Sequence, residues 1–500
     1  MRWPARLPSR RRAVSLDCME THRDVDDRPS PGAVAERSPS TGSRTTRTAT
    51  AKAGRLLFGP VDVAALVYFR VVFGLVMLWE VAGFLRFGWV RQLFLDPIYL
   101  FTYPGFGWVR PWPEKWMHLH FYGMGLAAAM IAAGLYYRLA SVLFFLGFSY
   151  VFLLDQCLYQ NHFYLIVLLS GLMPLLPANR DFSADVRMLP WIRRRWVPAW
   201  TLGILRAQLG LVYFFGGVAK LNGDWLRGEP MRSWLAIHAG APVVGPWLSE
   251  RWVVLGFSYG GLLLDLLAAP MLLWGRTRAF AALVLLAFHL TNAALFEIGI
   301  FPWFMILATP IFFPSTSLRP LFGGRREPAP DELPDVPSRR SRRVMAALIG
   351  LYLGLQVLIP LRHHLYPGDV NWTEEGHRFS WHMKLRDKSG DIRFVVTDPG
   401  TGRSAVVNPA DFLSPRQEAK MAIRPHMIRQ FAHYLADFYG EAGVPGVEVR
   451  ALAVASLNGR PPQKLVDDRV DLAAQPRAIG PAPWIVPLEG GPIPIGGGQR

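Results

Sequence analysis

Apolar segments of membrane-spanning length alternate with short basic loops along most of this chain. A window of about 20 residues, the length of helix that crosses a bilayer core of about 30 Å, marks nine candidate spans. They cover residues 62–84, 119–137, 139–158, 163–177, 201–219, 252–274, 279–296, 302–315 and 344–361, of which the fourth and eighth are short. The pattern predicts an α-helical integral membrane bundle of about eight or nine transmembrane helices within residues 56–361.

Residues 362–490, which we call the C-terminal domain, show a different pattern. Alternation in HRFSWHMKL and DIRFVVTD, with SG between them, predicts two strands joined by a turn, and SAVVN predicts a strand that pairs next. Residues 415–440 predict one amphipathic helix with Pro425 as a candidate kink, and EVRALAVASLNG predicts a further strand. We therefore expect a small α+β domain after the bundle.

Two terminal segments show neither pattern. Residues 1–55 have no sustained apolar period and are rich in Pro, Ser, Thr and Arg, a composition that is typical of disordered segments. Residues 491–500 are rich in Pro and Gly. We expect a disordered basic tail at the N-terminus and a short disordered tail at the C-terminus.

The basic residues of the loops predict an orientation, because Lys and Arg concentrate on the cytoplasmic side of a membrane. If the N-terminal tail is cytoplasmic, the even-numbered loops are cytoplasmic too, and each of them is basic. They carry Arg138, Arg180, Arg187, Arg193, Arg194, Arg195, Arg276, Arg278, Arg325, Arg326, Arg339, Arg340, Arg342 and Arg343. This orientation places the C-terminal domain on the extracytoplasmic side, in a periplasm or a lumen.

The amino-acid composition of the chain argues against several classes of function. The chain is 51% hydrophobic and 18% charged, and its formal charge of +17 comes from 54 Lys and Arg against 37 Asp and Glu. Much of this excess lies in the tail and in the loops rather than on one folded face, which argues against a nucleic-acid partner. The two cysteines, Cys18 and Cys157, exclude a disulfide framework and a Cys-based metal site. We expect no metal cofactor.

Four ionisable residues, Arg70, Glu80, Arg206 and Asp265, fall well inside the predicted spans. Charges inside a membrane are costly, so each is a candidate functional group. The alternative is a structural role, in which opposite charges at similar depth compensate each other and fix helix packing. We favour the structural role for these four residues.

A second polar set lies at one predicted depth, on the extracytoplasmic side. It consists of Asn161, His162, Lys220, His289, Asn292, Glu297, Asn371, Trp372 and Thr373. These residues come from separate chain segments, which predicts that they converge on one vestibule. The alternatives are structural: Asn161 as a helix cap beside His162, and Asp224 and Trp225 as interfacial anchors of the following turn.

Lys220 is the strongest candidate for chemistry in this set. It is the only Lys between residues 116 and 383, in a chain where only seven of the 54 basic residues are Lys. It comes after the aromatic and Gly-rich run LVYFFGGVA, where close helix packing can desolvate an amine. A desolvated amine can act as a neutral base, whereas a guanidinium cannot. The alternative is a lysine that extends to the membrane edge.

Three segments of this set carry a resemblance to a known family. NHFYL at 161–165, VYFFGGVAKLNGDWLRG at 212–228 and FHLTNAALFEIGIF at 288–301 resemble the vitamin K-dependent gamma-glutamyl carboxylase. LYYRLASVLFFLGFSYVFLLD, NWTEEGHRFSWHMKLRD, VVNPADF and DDRVDLAA have counterparts in the same order, so the likeness runs from about residue 55 to about residue 490. The membrane part resembles the HTTM domain, the broader family that includes the carboxylase.

The resemblance implies a membrane enzyme that oxidises a reduced naphthoquinone with O2 to its 2,3-epoxide. The base so generated removes a proton from the γ carbon of a glutamyl side chain, which then takes up CO2. By the same resemblance Lys220 is the base that deprotonates the hydroquinone, and Asn161 and His162 belong to the same site. His289, Asn292, Trp225 and Tyr164 are then candidates for binding the quinone. The implied cofactor is reduced vitamin K or menaquinol, with O2 and CO2 as co-substrates and no metal.

Two departures from the family keep alternatives open. Neither cysteine stands where the vertebrate enzymes have a disulfide between their membrane and lumenal parts, and the chain ends soon after PWIVPL. Partners are thus membrane lipid, the quinone and a candidate glutamyl peptide or protein. The alternatives are an uncoupled quinol epoxidase or a non-catalytic lipid-binding scaffold. Frequent Arg, Ala, Gly and Pro are typical of a GC-rich bacterial genome, so we expect a bacterial inner-membrane protein that uses menaquinol.

Overall fold

A computed structural model of the chain describes residues 54, 57–296, 298–323, 337–477 and 480–490. The two predicted tails, apart from residue 54, and Glu297 lie outside these residues. The helices of eight residues or more in the described part are α1 (Ala64–Arg86), α2 (Glu114–Ala133), α3 (Tyr137–Leu154), α4 (Asn161–Leu172), α5 (Trp200–Ala219), α6 (Arg251–Leu273), α7 (Arg278–Leu295), α8 (Phe301–Ala308), α9 (Arg339–Leu361), α10 (Pro415–Ala422) and α11 (Pro425–Glu441). Shorter helices include Trp89–Phe94, Ala184–Met188, Gly223–Leu226, Met231–Ala236, Gly245–Leu248, Ser315–Leu318 and Val370–Thr373.

Each of the nine predicted spans overlaps a helix, but the count of eight or nine spans is not confirmed. Among the described residues, six helices are long and apolar enough to cross a membrane, namely α1, α3, α5, α6, α7 and α9 with its short extension to Leu365. A seventh span results if Phe301–Phe312 and Ser315–Phe322, which meet at a bend of 117°, are counted as one. The fourth candidate is shorter, at Asn161–Leu175.

Two short strands fix one end of the bundle, which we call the Arg70 end. Strand β1 (Pro60–Asp62) pairs antiparallel with β2 (Trp196–Pro198), with Val61 opposite Val197. These strands immediately precede α1 and α5, so both helices begin at the same level. One core of large apolar side chains then runs through the bundle along α1 to α5, and its burial is the main force that holds these helices together.

The C-terminal domain is built on a four-stranded antiparallel sheet. Its strands are β3 (Lys388–Thr397), β4 (Ser404–Val407), β5 (Glu448–Leu457) and β6 (Gln463–Lys464), in the order β4–β3–β5–β6. Alternate residues of β5, from Val449 to Leu457, are buried, as the period of two along a strand requires. Helices α10 and α11 cover this face. The predicted α+β class, the β4 strand and the β5 strand are confirmed.

Two local predictions in this domain are wrong. The segment HRFSWHMKL forms no strand, and SG is not a turn: Ser389 and Gly390 lie inside β3, where Gly390 pairs with Ala455. The alternation in HRFSWHMKL instead reflects an irregular loop that buries Trp381 in the bundle core. The helix predicted for residues 415–440 is two helices, α10 and α11, because Pro425 disfavours helical geometry at the residue before it.

Candidate functional site

Lys220 caps the C-terminal end of α5 and is buried together with an acidic partner. Its Nζ donates to Asp265 Oδ2 of α6 at 2.6 Å and to the Gly216 carbonyl at 3.1 Å. Lys220 is 6% exposed and Asp265 is 4% exposed, so solvent screens this pair very little. The aromatic face of Trp225 lies 5.2 Å from the amine. The bundle therefore contains one desolvated amine with a carboxylate and an aromatic ring around it.

A close helix crossing brings this pair together. A Cβ atom at Gly217 would lie 2.8 Å from the Leu266 side chain and 2.9 Å from the Leu266 backbone nitrogen. The neighbouring Gly216 lies against Asp265 and Met383, with 3.3 Å between its ideal Cβ and Asp265 Oδ2. Glycine at both positions lets α5 and α6 approach to backbone contact. The run FFGGVAK thus sets the distance between Lys220 and Asp265.

Trp225 covers Lys220 rather than anchoring the chain at an interface. The Asn222 side chain accepts a hydrogen bond from the Trp225 backbone nitrogen at 2.9 Å and so caps the short helix Gly223–Leu226. The Trp225 indole is 2% exposed and donates to the Ser258 carbonyl of α6 at 2.8 Å. It belongs to a small apolar cluster that also contains Leu385 from the C-terminal domain. The ring is therefore fixed on two sides over the amine.

His162 and His289 both lie beside the ring of Phe301. The Phe301 ring centroid is 5.8 Å from that of His162, in a stacked arrangement, and 6.1 Å from that of His289. His289 Nε2 and the Tyr213 hydroxyl share a hydrogen bond of 2.8 Å. Tyr213 stands seven residues before Lys220 on α5, two turns away on the same face. The His162 imidazole has no hydrogen-bond partner in the described part of the chain.

A loop of the C-terminal domain, residues 379–385, closes this end of the bundle. Three of its residues, Phe379, Trp381 and Lys384, have positive φ angles of 63°, 57° and 46°, which is strained for large side chains and is found most often at functional sites. Trp381 packs on the Tyr164 ring, with 5.0 Å between centroids. Asn161 Nδ2 donates to the loop's backbone carbonyl at His382, at 3.0 Å. Asn161 and Tyr164 thus hold the loop in place.

Sequence reasoning missed this loop because its alternation matched a strand. The two features that distinguish it, buried aromatic side chains and left-handed backbone at non-glycine residues, leave no periodic signal. The only clue in the sequence is its position directly after Asn371, Trp372 and Thr373. Asn371 and Trp372 are themselves buried, and the Trp372 indole donates to the Val486 carbonyl at 2.7 Å. This triplet supports the C-terminal domain and does not contact Lys220.

Next to the loop lies a group of four cations and one carboxylate, which we call the basic cluster: Glu374, Arg378, Arg386, Lys388 and Arg424. Glu374 pairs with Arg386, and its Oε1 lies 3.8 Å from Lys388 Nζ. Arg424 Nη1 is buried without a hydrogen-bond partner among the described residues. Asp369 also acts electrostatically on Arg386 and Lys388, so four basic side chains face two carboxylates, an excess that favours an additional anion here.

The pKa values around the basic cluster show the same excess of positive charge. The pKa of Lys388 is lowered to about 7, mainly by burial, with Glu374 opposing the shift and the neighbouring arginines adding to it. Burial also lowers the pKa of His382 to about 3, again with cationic neighbours. The pKa of the Glu374 carboxyl is raised by burial but held below its usual range overall by Arg386 and Lys388. His382 is therefore neutral and Glu374 is ionised at neutral pH.

The remaining predicted residues lie in several places. Asn292 is half-buried one turn beyond His289 and has no side-chain hydrogen bond within the described ranges. The four charges inside the predicted spans do not pair with one another. Arg206 donates to the carbonyls of Ile311 and Phe313, where α8 and its continuation end. Glu80 has no ion-pair partner among the described residues, and Arg70 lies at the Arg70 end. Asp265 alone joins the Lys220 site.

Fold and site together define a helical membrane protein with a buried amine beneath an α+β domain. Comparison with family models agrees with this class. Residues 58–316, more than half of the chain, match the HTTM domain, and residues 341–490 match the vitamin K-dependent gamma-carboxylase lumenal domain. The chain belongs to the vitamin K-dependent gamma-carboxylase family of membrane proteins, which confirms the resemblance seen in the sequence. No solved structure matches it.

Proposed function

We propose that this protein couples the O2-dependent epoxidation of a reduced naphthoquinone to the carboxylation of a glutamyl side chain. The observation that carries the proposal is the buried Lys220–Asp265 pair, with 2.6 Å between Nζ and Oδ2, which lies at the end of the bundle covered by the C-terminal domain. The family membership supports a carboxylase-type enzyme. An amine and a carboxylate in contact, with little water around them, can exchange a proton during such a reaction.

The surroundings of Lys220 suit a flat, mostly apolar ring system with two hydroxyl groups. Trp225 covers the Lys220 amine, and the rings of Phe301 and Trp381 pack on His162 and Tyr164 at the same end of the bundle. Buried nitrogen atoms of His289, Trp381 and His382 have no hydrogen-bond partner in the described residues, so they can bond to hydroxyl oxygens. Such a combination of apolar walls and a few polar groups is typical of cofactor sites. A naphthohydroquinone fits this chemistry.

When bound, the hydroquinone would be oxidised by O2 to its 2,3-epoxide and water, and the strong base formed in that oxidation would remove a proton from the glutamyl γ carbon, the carbon to which CO2 then adds. Lys220 supplies the first base of the sequence, which takes a phenolic proton. Asp265 is the acceptor nearest to the Lys220 amine and can receive its proton, which returns the amine to its neutral form. In apolar surroundings the neutral pair and the ion pair come closer in energy than in water.

The other residues position groups of the site or exclude water from it. Asn161 acts through the loop, because its amide is engaged by the His382 carbonyl and by the Tyr159 hydroxyl at 3.0 Å. His162 has a free imidazole beside Phe301 and can donate to a developing oxyanion, a type of contact that is typically worth about 3 kcal/mol. Trp225 and Trp381 exclude water, which protects a strong base from protonation.

The basic cluster supports a substrate that carries a carboxylate. Arg424, whose Nη1 has no hydrogen-bond partner among the described residues, and the neighbouring Arg378 suit a carboxylate, which guanidinium groups bind with paired, charge-assisted hydrogen bonds. The cluster connects to the site through His377 and His382, whose ring centroids are 5.1 Å apart. His382 belongs to the loop that covers Lys220. A glutamyl carboxylate held at the cluster is therefore presented to the site from the C-terminal domain.

Detergent-purified protein tests this proposal with menaquinol or phylloquinol, O2, labelled CO2 and a glutamyl peptide. The expected result is epoxide formation together with incorporation of label into the peptide. In the Arg378→Gln and Arg424→Gln variants, we expect the KM for the peptide to rise about tenfold or more, since one charged hydrogen bond contributes about 1.5–3 kcal/mol. Arg403→Gln, an exposed arginine of the same domain, is the matched control.

Three other outcomes are informative. Epoxide without labelled peptide would identify an uncoupled epoxidase and contradict the carboxylation step. Quinone binding without turnover, in folded wild-type protein and with every hydroquinone offered, would contradict the enzymatic proposal and leave a lipid-binding scaffold. An unchanged peptide KM in both arginine variants would remove the basic cluster from substrate recognition while leaving the rest of the proposal intact.

A further inference from the structure

A cavity lies at the Arg70 end of the bundle, far from Lys220. Its volume is about 530 Å³, and its walls come from α1, from the C-terminal end of α2, and from residues 181–195 and 319–323. The 20 residues of α5 separate β2 at this end from Lys220, a distance of about 30 Å at 1.5 Å per residue. The cavity is therefore no part of the site proposed above.

Arg70 is the deepest side chain in the wall of this cavity. It is fully buried, and its Nη2 donates to the Phe182 carbonyl at 2.6 Å. Its Nε and Nη1 atoms are buried without any hydrogen-bond partner among the described residues. A permanently charged group with two unsatisfied donors is costly in such a place. An anion in the cavity would supply the missing acceptors.

The backbone around Arg70 is shaped to keep the guanidinium in this position. Gly134, which ends α2 with a φ of 66°, lies so close that a Cβ there would be 2.0 Å from Arg70 Nη1 and 2.5 Å from Ser183 Cβ. The nearby Asp185 does not neutralise Arg70 directly, because its carboxylate accepts from the Tyr136 and Tyr137 backbone nitrogens and from Asn179. The guanidinium is thus fixed in place, and Asp185 and Asp181 act on it electrostatically without forming a direct ion pair with it among the described residues.

The rest of the wall is positively charged as well. Arg187, Arg193, Arg195 and Arg319 line the cavity with Arg70, against the single acid Asp181. Arg319 pairs with Asp62 and Asp181, and Arg195 pairs with Asp62. Arg193 reaches Asp181 only at 3.8 Å, and Arg187 has no ion pair in the described part of the chain. Asp62 and Asp185 act on these arginines from behind the wall, so five cations face three acids and leave a net positive charge around the cavity.

We propose that this cavity binds a phosphate group. Guanidinium groups that approach from several sides match a tetrahedral oxyanion, which offers acceptors in more directions than a carboxylate does. Two sources carry this chemistry: the headgroup of an anionic phospholipid and a soluble phosphate ester. Phe182 and Phe322 lie at the wall with 5.0 Å between their ring centroids, and basic pockets at the ends of membrane helices are where lipid headgroups bind.

Binding to purified protein tests the proposal without any measurement of enzymatic activity. The probes are dioctanoyl phosphatidylglycerol, phosphatidylcholine of the same chain length, and inorganic phosphate, with dissociation constants from native mass spectrometry for the lipids and calorimetry for phosphate. We expect Arg70→Gln to weaken the binding of phosphatidylglycerol or phosphate at least tenfold. Arg193→Gln, which changes an exposed residue of the wall, should weaken it severalfold without affecting folding.

Two further variants make the test specific. Arg276→Gln removes an exposed arginine that does not line the cavity and should leave binding unchanged. Ala133→Phe fills the cavity from its wall, keeps every charge and should also weaken binding. Binding of phosphatidylglycerol alone assigns the site to a lipid headgroup, and competition by inorganic phosphate assigns it to soluble phosphates. Equal binding of the phosphate-bearing probes by wild type, Arg70→Gln and Arg193→Gln would overturn the proposal, and so would the absence of binding by both phosphatidylglycerol and inorganic phosphate.

Discussion

At the scale of single residues, the Lys220–Asp265 pair has opposite consequences for stability and for chemistry. A buried ion pair gains little over apolar residues of the same volume, because the loss of hydration offsets the attraction between the charges. Removing one partner alone is much worse, since it leaves an uncompensated charge in the bundle. Lys220 and Asp265 are 6% and 4% exposed. A role in the reaction therefore explains this buried pair better than a contribution to the stability of the fold does.

This difference leads to a prediction for the pair. Asp265→Asn should lower epoxide formation by about 10²-fold or more, the usual contribution of a proton acceptor, and should destabilise the protein by about 3–5 kcal/mol. The double variant Lys220→Met/Asp265→Leu should recover the stability but not the activity. Thermal unfolding and epoxide assays on the same preparations measure both effects. Full activity in Asp265→Asn would show that Asp265 takes no proton.

A second prediction at this scale concerns His382 and pH. Because burial lowers the pKa of His382 to about 3, the unfolded chain takes up a proton below about pH 6.5 and the folded protein does not. Stability must then fall as the pH drops from about 6.5, by at most about 2 kcal/mol at pH 5 from this residue. In His382→Gln the unfolding midpoint should depend less on pH across this interval. An unchanged pH dependence would contradict the burial of a neutral imidazole.

At the scale of secondary-structure elements, the site depends on how closely α5 and α6 cross. The crossing relies on Gly217, whose ideal Cβ would overlap the Leu266 backbone. We predict that Gly217→Ala pushes the helices apart, costs about 1–3 kcal/mol and lowers epoxide formation through the longer Lys220–Asp265 distance. Gly203→Ala, on the same helix with open space around it, is the control and should have no effect. Equal activity in the two variants would argue against this role of the crossing.

The secondary-structure elements also show which parts of the structure can be predicted from the sequence and which cannot. An apolar window of membrane-spanning length located the helices of the bundle, and strand patterns in the sequence located β4 and β5. The loop at residues 379–385 buries no regular face, and its positive φ angles at Phe379, Trp381 and Lys384 result from packing against the bundle. Local pattern therefore predicted the elements, while the contacts of the site required the tertiary structure.

The pairing inside the site was equally hidden from the sequence. Lys220 stands out because it is rare and comes after a Gly-rich aromatic run, but nothing local links it to Asp265, 45 residues later. The same holds for Asn161 and His382, which are 221 residues apart. Family resemblance pointed to Lys220, Asn161 and His162, and the structure adds Asp265 and the loop as their neighbours.

At the scale of the whole molecule, an ion pair connects the C-terminal domain to the Lys220 site. Arg460 binds Asp224 through two hydrogen bonds of 2.7 Å, and Asn458 adds a third at 2.8 Å. Asp224 precedes Trp225, the residue that covers Lys220. Because both Arg460 and Asp224 are largely buried, the pair is worth more than a surface salt bridge. The contact that docks the C-terminal domain on the bundle is therefore adjacent in the chain to Trp225, which covers Lys220.

We predict that Asp224→Asn loosens this docking. The expected loss is about 2–3 kcal/mol, the contribution of hydrogen bonds to charged groups, with faster proteolysis of the C-terminal domain and slower epoxide formation. Asp468→Asn removes the partner of the exposed Lys464 and should change stability by less than about 1 kcal/mol. Similar proteolysis of both variants would contradict the link between docking and the Asp224 contact.

The same contact has a defined pH dependence. Burial raises the pKa of Asp224, but hydrogen bonds from Arg460 and Asn458 hold it below the usual range overall. Its contribution to stability is therefore fully present above about pH 4, the pKa of an unfolded Asp, and is lost as the pH falls through the lower folded value. Proteolysis of wild type at decreasing pH should approach that of Asp224→Asn only below about pH 4.

The role of Lys220 is tested by epoxide formation from a reduced naphthoquinone and O2, with purified Lys220→Ala protein beside wild type. Lys115→Ala, which changes an exposed lysine, controls for loss of a lysine, and Lys220→Met/Asp265→Leu controls for folding. We predict wild-type turnover in Lys115→Ala and at least a 100-fold loss in both Lys220 variants with the fold retained. Undiminished epoxide formation in Lys220→Ala would contradict the assignment of the base, and with it the proposed site.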